Sequence, residues 1–417
     1  MKVYITKTKK VEGKVKISGS KNSSLPILAL SLLTNEKIIL NNVPIIKDVL
    51  NMIKCLKHLG VKVQINNNQV VLKRNKTKNK LLIDEANKIR ASYYLYSGML
   101  KYHNNIYVSY PGGCNFTIRP IDFHMEIFKK TGVKVRMHSN YIELSKKTIN
   151  NATHKFKKQT VGATINAIIH SVFTKGTTRI LDQIVEPEIE ELITCLKKMG
   201  ANISIINNDI VIKGVKRLNG LVHTISPDRI ELGSFILLAS ALRTKLKISN
   251  VSKMVVEPLV PYLNKLNINY IYNKEELFID QKENINNIDL KIKEYPSFPT
   301  DLQPILCATL LTAKEKSTIV DLVYPNRITH IKEIQKFKGD IYQKDNVIHI
   351  NPSKLISTTT TCHDLRCGFA LVICALLSKN TCVLDNFEMV ERGYENILEK
   401  LNKIGVQIKW ELIEIKK

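Results

Sequence analysis

One supersecondary pattern recurs six times along this chain of 417 residues, and no other feature restricts its fold as strongly. Each copy has an apolar period of 3.6 residues, a Gly- or Asn-type stop, and two alternating segments around a polar turn. The first copy, MIKCLKHLGVKVQINNNQVVL, covers residues 52–72; the others cover 125–144, 192–212, 259–279, 330–350 and 397–415. The pattern predicts a helix closed by a left-handed cap and followed by a β-hairpin.

A second set of six segments interleaves with the first, at 23–40, 91–108, 163–181, 232–249, 301–320 and 368–384. Each is a short helix-forming stretch followed by a strand. These helices are apolar nearly all round, as in SSLPILALSLL and GFALVICALLS, so they are expected inside the protein rather than on its surface. The combined period of roughly 70 residues is that of a supersecondary unit which needs its neighbours to bury a core. The expected fold class is therefore α/β (α+β), with six βαβαββ-like repeats divided three and three between two pseudo-symmetric domains. Each repeat has a buried helix, an outer helix, and strands on the solvent side.

Composition excludes several other classes. The N-terminal MKVYITKTKKVEGKVKI has no apolar core and no small-residue cleavage site, unlike a signal peptide. The longest apolar runs are about half of the ~20 residues that cross a bilayer, which predicts a cytoplasmic protein with no membrane partner. Eight cysteines contain no C-x-x-C pair, so neither a disulfide framework nor a metal site is expected, CHDLRC included. The net charge of +26, from 63 basic and 37 acidic residues, is spread over lysine-rich loops. It forms no stripe interleaved with aromatics, so small anionic substrates are the expected partners, and nucleic acid is not.

Against this scaffold the unusual polar residues fall in two loop classes. Loops before the buried helices carry Lys21 and Asn22, Arg90, Lys158 to Gly162 (including Gln159, Thr160 and Val161), Asp228 with Arg229 and Glu231, Asp301, and Asp364 with Arg366. Loops after the following strands carry Lys47 and Asp48, the stretch PGGCNFTIRP with Cys114 and Arg119, Glu186 and Glu188, Arg327, and Arg392. Helix N-termini offer unpaired N–H groups that suit anions, and arginine grips phosphate and carboxylate with two parallel hydrogen bonds. If the buried helices run alike within each domain, these residues line a cleft between the domains that takes a phosphorylated, carboxylated substrate. Asp301, set among arginines, is either a structural ion pair or a general base. Cys114 is either an inert buried thiol or a group whose pKa is lowered by basic surroundings, an acid or a nucleophile.

The motifs ISGSKNSSLPIL, NVPIIKDV, RAS, YPGGCNFTIRPIDFH, VGAT, EPEI, PDRIE, FPTD, NR, DLR and RGYE, taken in order, resemble those of the enolpyruvyl transferases along essentially the whole chain. The resemblance implies an inside-out α/β barrel in each of two domains: residues 1–20 with 228–417 (domain I), and residues 21–227 inserted between them (domain II). It implies transfer of the enolpyruvyl group of phosphoenolpyruvate to the 3′-hydroxyl of UDP-N-acetylglucosamine, with release of phosphate, at the start of peptidoglycan synthesis. No cofactor is implied. The nearest alternative within the family is the enzyme that acts on 3-phosphoshikimate, which shares the donor but does not use a cysteine in this loop.

Carried over motif by motif, Cys114 resembles the acid at the phosphoenolpyruvate carbon, the thiol that forms a covalent adduct with that substrate, and the target of the epoxide fosfomycin. Asp301 resembles the base on the sugar hydroxyl. Lys21, Arg119 and Arg392 resemble the phosphoenolpyruvate clamp, with Asn22 beside the reacting sugar. Arg90, Arg119, Pro120, Ile121, Asp122, Phe123, Lys158, Gln159, Thr160, Val161 and Val323 match nucleotide-sugar contacts, and Asp364 and Arg366 match residues near the reacting centre. Four positions depart from the family pattern: Thr117 stands for glycine, Ile118 for a small residue, Met389 for a histidine found in some members, and Pro325 for a glutamate found in some. A β-branched residue at 117 removes backbone freedom and predicts an altered loop closure.

Overall fold

The computed structural model describes residues 1–8, 10–112 and 121–411. They form two compact units: residues 1–18 with 227–411, and residues 19–112 with 121–226. Each unit has its own apolar core.

The sixfold repeat is the architecture. Six mixed four-stranded sheets share one pattern, in which a parallel edge strand is followed by two antiparallel neighbours. In a regular copy the strand Lys80–Leu81 pairs in parallel with Asn105–Ser109, which pairs antiparallel with Tyr141–Ser145, the partner of Lys134–Met137. Hairpin turns are closed by residues such as Asn67, Asn207, Asn208, Asp345 and Asn346, all at positive φ. Asparagine and aspartate tolerate that conformation better than other non-glycine residues.

Within each unit three buried helices form the centre, and the sheets lie outside them. They are Lys21–Ala29, Tyr94–Tyr102 and Val161–Ser171 in the second unit, and Arg229–Ala241, Gln303–Leu310 and Leu365–Leu377 in the first. Every residue from 230 to 241 and from 365 to 376 is buried, as an all-round apolar helix requires. Phe235 meets Phe369 edge to face at 5.6 Å, and Phe369 stacks on Tyr394 at 4.7 Å. This aromatic chain joins two central helices to the segment after Arg392; truncating Phe235 would cost about 3–5 kcal/mol.

The edge strands are exchanged where the chain passes between units. Gly13–Lys16 leads into the helix Lys21–Ala29 of the second unit, yet it pairs with Lys245–Ser249 of the first. Leu221–Thr224 leads into Arg229–Ala241 of the first unit, yet it pairs with Ile38–Asn41 of the second. At the first passage Gly19 packs so closely that a Cβ there would lie 1.7 Å from the Asn42 carbonyl oxygen. Buried glutamates tie down both passages: Glu231 accepts from the Ser18 N–H at 2.8 Å, and Glu191 accepts from the Ser226 N–H at 2.8 Å.

The last repeat corrects the expectation of a self-contained hairpin over 397–415. The strand Gln407–Glu411 pairs with Lys2–Thr6 from the N-terminus, which takes the place held in the other sheets by the second hairpin strand. The N-terminal strand alternates in burial and pairs on both sides, with Cys382–Asp385 and Gln407–Glu411, which periodicity within one repeat does not reveal. Residues 412–415 lie outside the described part.

Candidate functional site

In three of the repeats the two loop classes are tied together. Asn42, Asn250 and Asn386 all adopt positive φ directly after a strand. Their side-chain amides donate to the carbonyls of Ile225, Ile17 and Cys362, at 2.8, 2.6 and 2.9 Å. These three acceptors each directly follow an edge strand. A left-handed asparagine therefore latches the loop carrying Lys47 and Asp48, or Arg392, to the loop that starts a central helix.

In the first unit the starts of the central helices converge on Asp301, which lies in the one-turn 3₁₀ helix Thr300–Leu302 before Gln303. Its Oδ1 is 2.8 Å from Arg327 Nη1 and its Oδ2 is 3.0 Å from Arg366 Nη2. Both guanidinium side chains are 4% exposed, whereas the carboxylate keeps 29% of its surface open. Arg327 also donates to the Thr300 carbonyl, and Thr300 Oγ1 donates to Asp321 at 2.6 Å. Asp321 accepts from the N–H groups of Val323 and Tyr324, which fixes the loop that carries the candidate Val323.

Arg366 sits in the first turn of Leu365–Leu377, whose N-cap is Asp364. Asp364 Oδ1 accepts from the N–H groups of Arg366 and Cys367, and its Oδ2 accepts from Thr329 Oγ1 at 3.0 Å. With those three donors its carboxylate is a structural cap that aims Arg366. Burial opposes the charge of Arg366, but the neighbouring Tyr394, Asp301 and Asp228 push its pKa upward. Asp228 caps the third central helix through Ile230 and Glu231. Arg392 ends the 3₁₀ helix Phe387–Arg392, half-buried, and two residues on the fully buried Tyr394 meets Ser234 Oγ at 2.8 Å. Met389 packs against the core of this unit, and Pro325 is exposed.

In the second unit Lys21 opens its helix behind the Ser20 cap, and its Nζ is 3.6 Å from Asp48 Oδ2. Pro26 in that helix has no N–H, so the Asn22 carbonyl has no intrahelical donor. Arg90 lies over the Tyr93 ring at 5.9 Å, and Tyr93 meets the His124 ring at 3.8 Å. A Cβ on Gly162 would come 2.7 Å from the Tyr93 hydroxyl, so the glycine of VGAT is what lets this helix start beside that pair. Thr160 caps the same helix by accepting from the Ala163 N–H at 3.4 Å. Gln159 is held on both sides, by the Ile184 N–H and the Asp182 carbonyl, while Lys158 and Asp122 are exposed. Ile121 and Phe123 are half-buried, with Phe123 5.7 Å from Phe156. Glu186 stands at the N-cap position of the helix Pro187–Lys198 without a side-chain capping bond, and Glu188 is buried in its first turn.

The sequence candidates Cys114, Arg119 and Pro120, and the departures Thr117 and Ile118, lie outside the described residues. Gly112, just before them, is closely packed: a Cβ there would lie 1.5 Å from the Asn87 carbonyl oxygen. The seven cysteines among the described residues are all buried and unbridged. Burial pushes the thiols of Cys55 and Cys195 up to about 12. Among the described residues no group of three His, Cys, Asp or Glu could hold a metal ion, and no helix is long and apolar enough to cross a membrane.

Three features of these clusters are absent from the sequence candidates. Tyr93 lies three residues from Arg90 and His330 three residues from Arg327, whereas only long-range packing brings His124 to the Tyr93 ring. A signal existed for Tyr93 and His124, since one directly follows the motif RAS and the other closes YPGGCNFTIRPIDFH.

Comparison with known proteins adds the chemistry. The family model described as EPSP synthase (3-phosphoshikimate 1-carboxyvinyltransferase) matches residues 5–401. The chain is 35% identical to UDP-N-acetylglucosamine 1-carboxyvinyltransferase of Pelagibacter ubique, over 96% of its own length and 97% of that protein's. It is 36% identical to UDP-N-acetylglucosamine 1-carboxyvinyltransferase 2 of Listeria innocua, over 98% of its own length and 97% of the relative's. Its fold matches the enolpyruvyl transferase NikO from Streptomyces tendae with a TM-score of 0.90 at 19% identity, covering 98% of each chain. An EPSP synthase from Acinetobacter baumannii matches with a TM-score of 0.77 at 14% identity, covering 98% of this chain and 99% of that one.

Proposed function

The chain belongs to the EPSP synthase family, and we propose that it transfers the enolpyruvyl group of phosphoenolpyruvate to the 3′-hydroxyl of UDP-N-acetylglucosamine, releasing phosphate. The observation that carries this reading is Asp301, a part-exposed carboxylate gripped by two buried guanidiniums at the start of a central helix. The relatives that match over nearly the full length carry the nucleotide-sugar enzyme's name. The reaction opens peptidoglycan synthesis and takes place in the cytoplasm.

The reading gives the chain's own residues these tasks. Cys114 donates its proton to the methylene carbon of phosphoenolpyruvate, which leaves a cationic centre at the adjacent carbon. The sugar hydroxyl attacks that carbon as Asp301 removes the hydroxyl proton, forming a tetrahedral ketal. Expulsion of phosphate, with loss of a proton from the new methyl group, restores the double bond and gives the enol ether. Lys21, Arg119 and Arg392 hold the phosphate and carboxylate, and they oppose the charge that builds as phosphate departs. Arg90, residues 119–123 and 158–161, and Val323 hold the nucleotide sugar, with Asn22 beside the reacting hydroxyl. Arg327 and Arg366 keep Asp301 ionised and fixed in orientation, as a general base must be.

The acceptor 3-phosphoshikimate is the second reading, since the family model bears that enzyme's description. The Cys114 loop and the named relatives favour the nucleotide sugar. The experiment incubates the full chain with both substrates and follows phosphate together with the vinyl proton signals of a UDP-sugar ether. Stoichiometric appearance of the two supports the reading; phosphate without the ether contradicts it.

A further inference from the structure

His330 lies in the first turn of the outer helix Thr329–Lys336 and is completely buried. Neither ring nitrogen has a hydrogen-bond partner among the described residues. The ring sits within electrostatic reach of two groups that matter to the site. Asp364, the cap that aims Arg366, draws a proton toward it, and Arg327 opposes one. Burial is the largest influence and brings the imidazole down to about 4, so the ring is neutral at physiological pH. A neutral imidazole carries one N–H donor and one bare acceptor nitrogen. Such a ring can donate to one neighbour and accept from another, and the two charged groups within its reach are a carboxylate acceptor and a guanidinium donor. Thr329, the preceding residue, already donates to Asp364 at 3.0 Å, so the helix start is bound to the cap.

A buried polar ring with both nitrogens unpaired is costly, and native proteins usually satisfy such groups with ordered water. We propose that His330 is a positioning residue, which through internal water on its two nitrogens links the Arg327 loop to the Asp364 cap and so holds both guanidiniums in register on Asp301. The inference rests on the reading of Asp301 as the base. One orienting group on each arginine acts through a single neutral ring, so loss of the ring loosens the angle between the two N–H···O contacts without removing either charge. Misplacement of this kind acts on turnover more than on substrate affinity.

The test has two arms on the full-length chain. In the first, a crystal structure at a resolution that shows ordered solvent is expected to place water within hydrogen-bonding distance of both His330 nitrogens; a ring surrounded only by apolar atoms overturns the proposal. In the second, His330→Phe fills the volume without polar atoms, and His330→Gln keeps one donor and one acceptor. The expectation for His330→Phe is an unchanged or raised melting temperature, a fall in kcat of about tenfold, and KM values within about twofold. His330→Gln recovers part of kcat. A core-filling histidine would instead give wild-type kcat in His330→Phe, which overturns the proposal. If His330→Phe does not fold, the kcat of His330→Gln and the ordered water decide. If the unaltered protein itself releases no phosphate, the functional reading falls, and the crystallographic arm still decides whether the link exists.

Discussion

Asp301 and Arg327 form a 2.8 Å ion pair in which the arginine side chain is 4% exposed and the aspartate 29%. The asymmetry matters: the cation is fixed within the protein while the anion faces outward. Arg366 completes the grip from a second helix at 3.0 Å. A carboxylate held in this way is fixed in orientation and keeps part of its surface open.

Replacing Asp301 with Asn keeps the shape and removes the carboxylate proposed as the base. Turnover is expected to fall by about 10²–10⁴-fold, the usual contribution of a general base, with smaller changes in KM. Steady-state kinetics on Asp301→Asn check this, and unchanged kcat removes Asp301 from that role.

Fosfomycin is expected to label Cys114 alone. The seven described cysteines are buried, with thiols such as Cys195 pushed up to about 12, so they supply neither access nor thiolate. Peptide mass spectrometry after alkylation reads the site directly; label on Cys195 or another buried thiol would contradict the assignment. Cys114→Ala should lose activity at neutral pH, and Cys195→Ala should affect packing only.

Lys400 is the half-buried partner of the buried Glu231, with side chains 13% and 2% exposed, and it also donates to Ser18 Oγ at 2.6 Å. Lys400→Met leaves that glutamate and the Ser18 contact uncompensated in the interior. The expected loss is about 3–5 kcal/mol, measured by urea unfolding.

Stability should also fall on acidification. Burial takes His170 down to about 3, with His154 and Lys146 adding to the depression, and the ring meets Thr131 Oγ1 at 2.9 Å. The unfolded chain binds this proton near pH 6.5 and the folded protein does not until about pH 3. The contribution is therefore complete above pH 6.5 and is lost progressively as pH falls toward 3, at about 1.4 kcal/mol per pH unit. Unfolding free energies of the unaltered protein and His170→Gln across that window test it: the variant should show a shallower slope.

The repeat was legible because each helix, stop and hairpin satisfies its own periodicity, and six copies average out local noise. Asp301, Arg366 and Arg327 were legible as departures from that shared scaffold. The exchanged edge strands were not, since Gly13–Lys16 and Leu221–Thr224 pair with segments more than 150 residues away. The same holds for Lys2–Thr6 in the last sheet, whose partners lie at the far end of the chain. Asn42, Asn250 and Asn386 do sit at repeat-equivalent places, so their latch could have been read from the alignment of repeats. The link from His330 to Asp364 could not, because Asp364 belongs to another segment that meets the Arg327–His330 stretch only in the folded unit.

The acceptor assay tests the central claim most directly. Phosphate release from phosphoenolpyruvate is measured with UDP-N-acetylglucosamine, with shikimate 3-phosphate, and with neither. Release that depends on the nucleotide sugar is the predicted result; release that depends on shikimate 3-phosphate would contradict it.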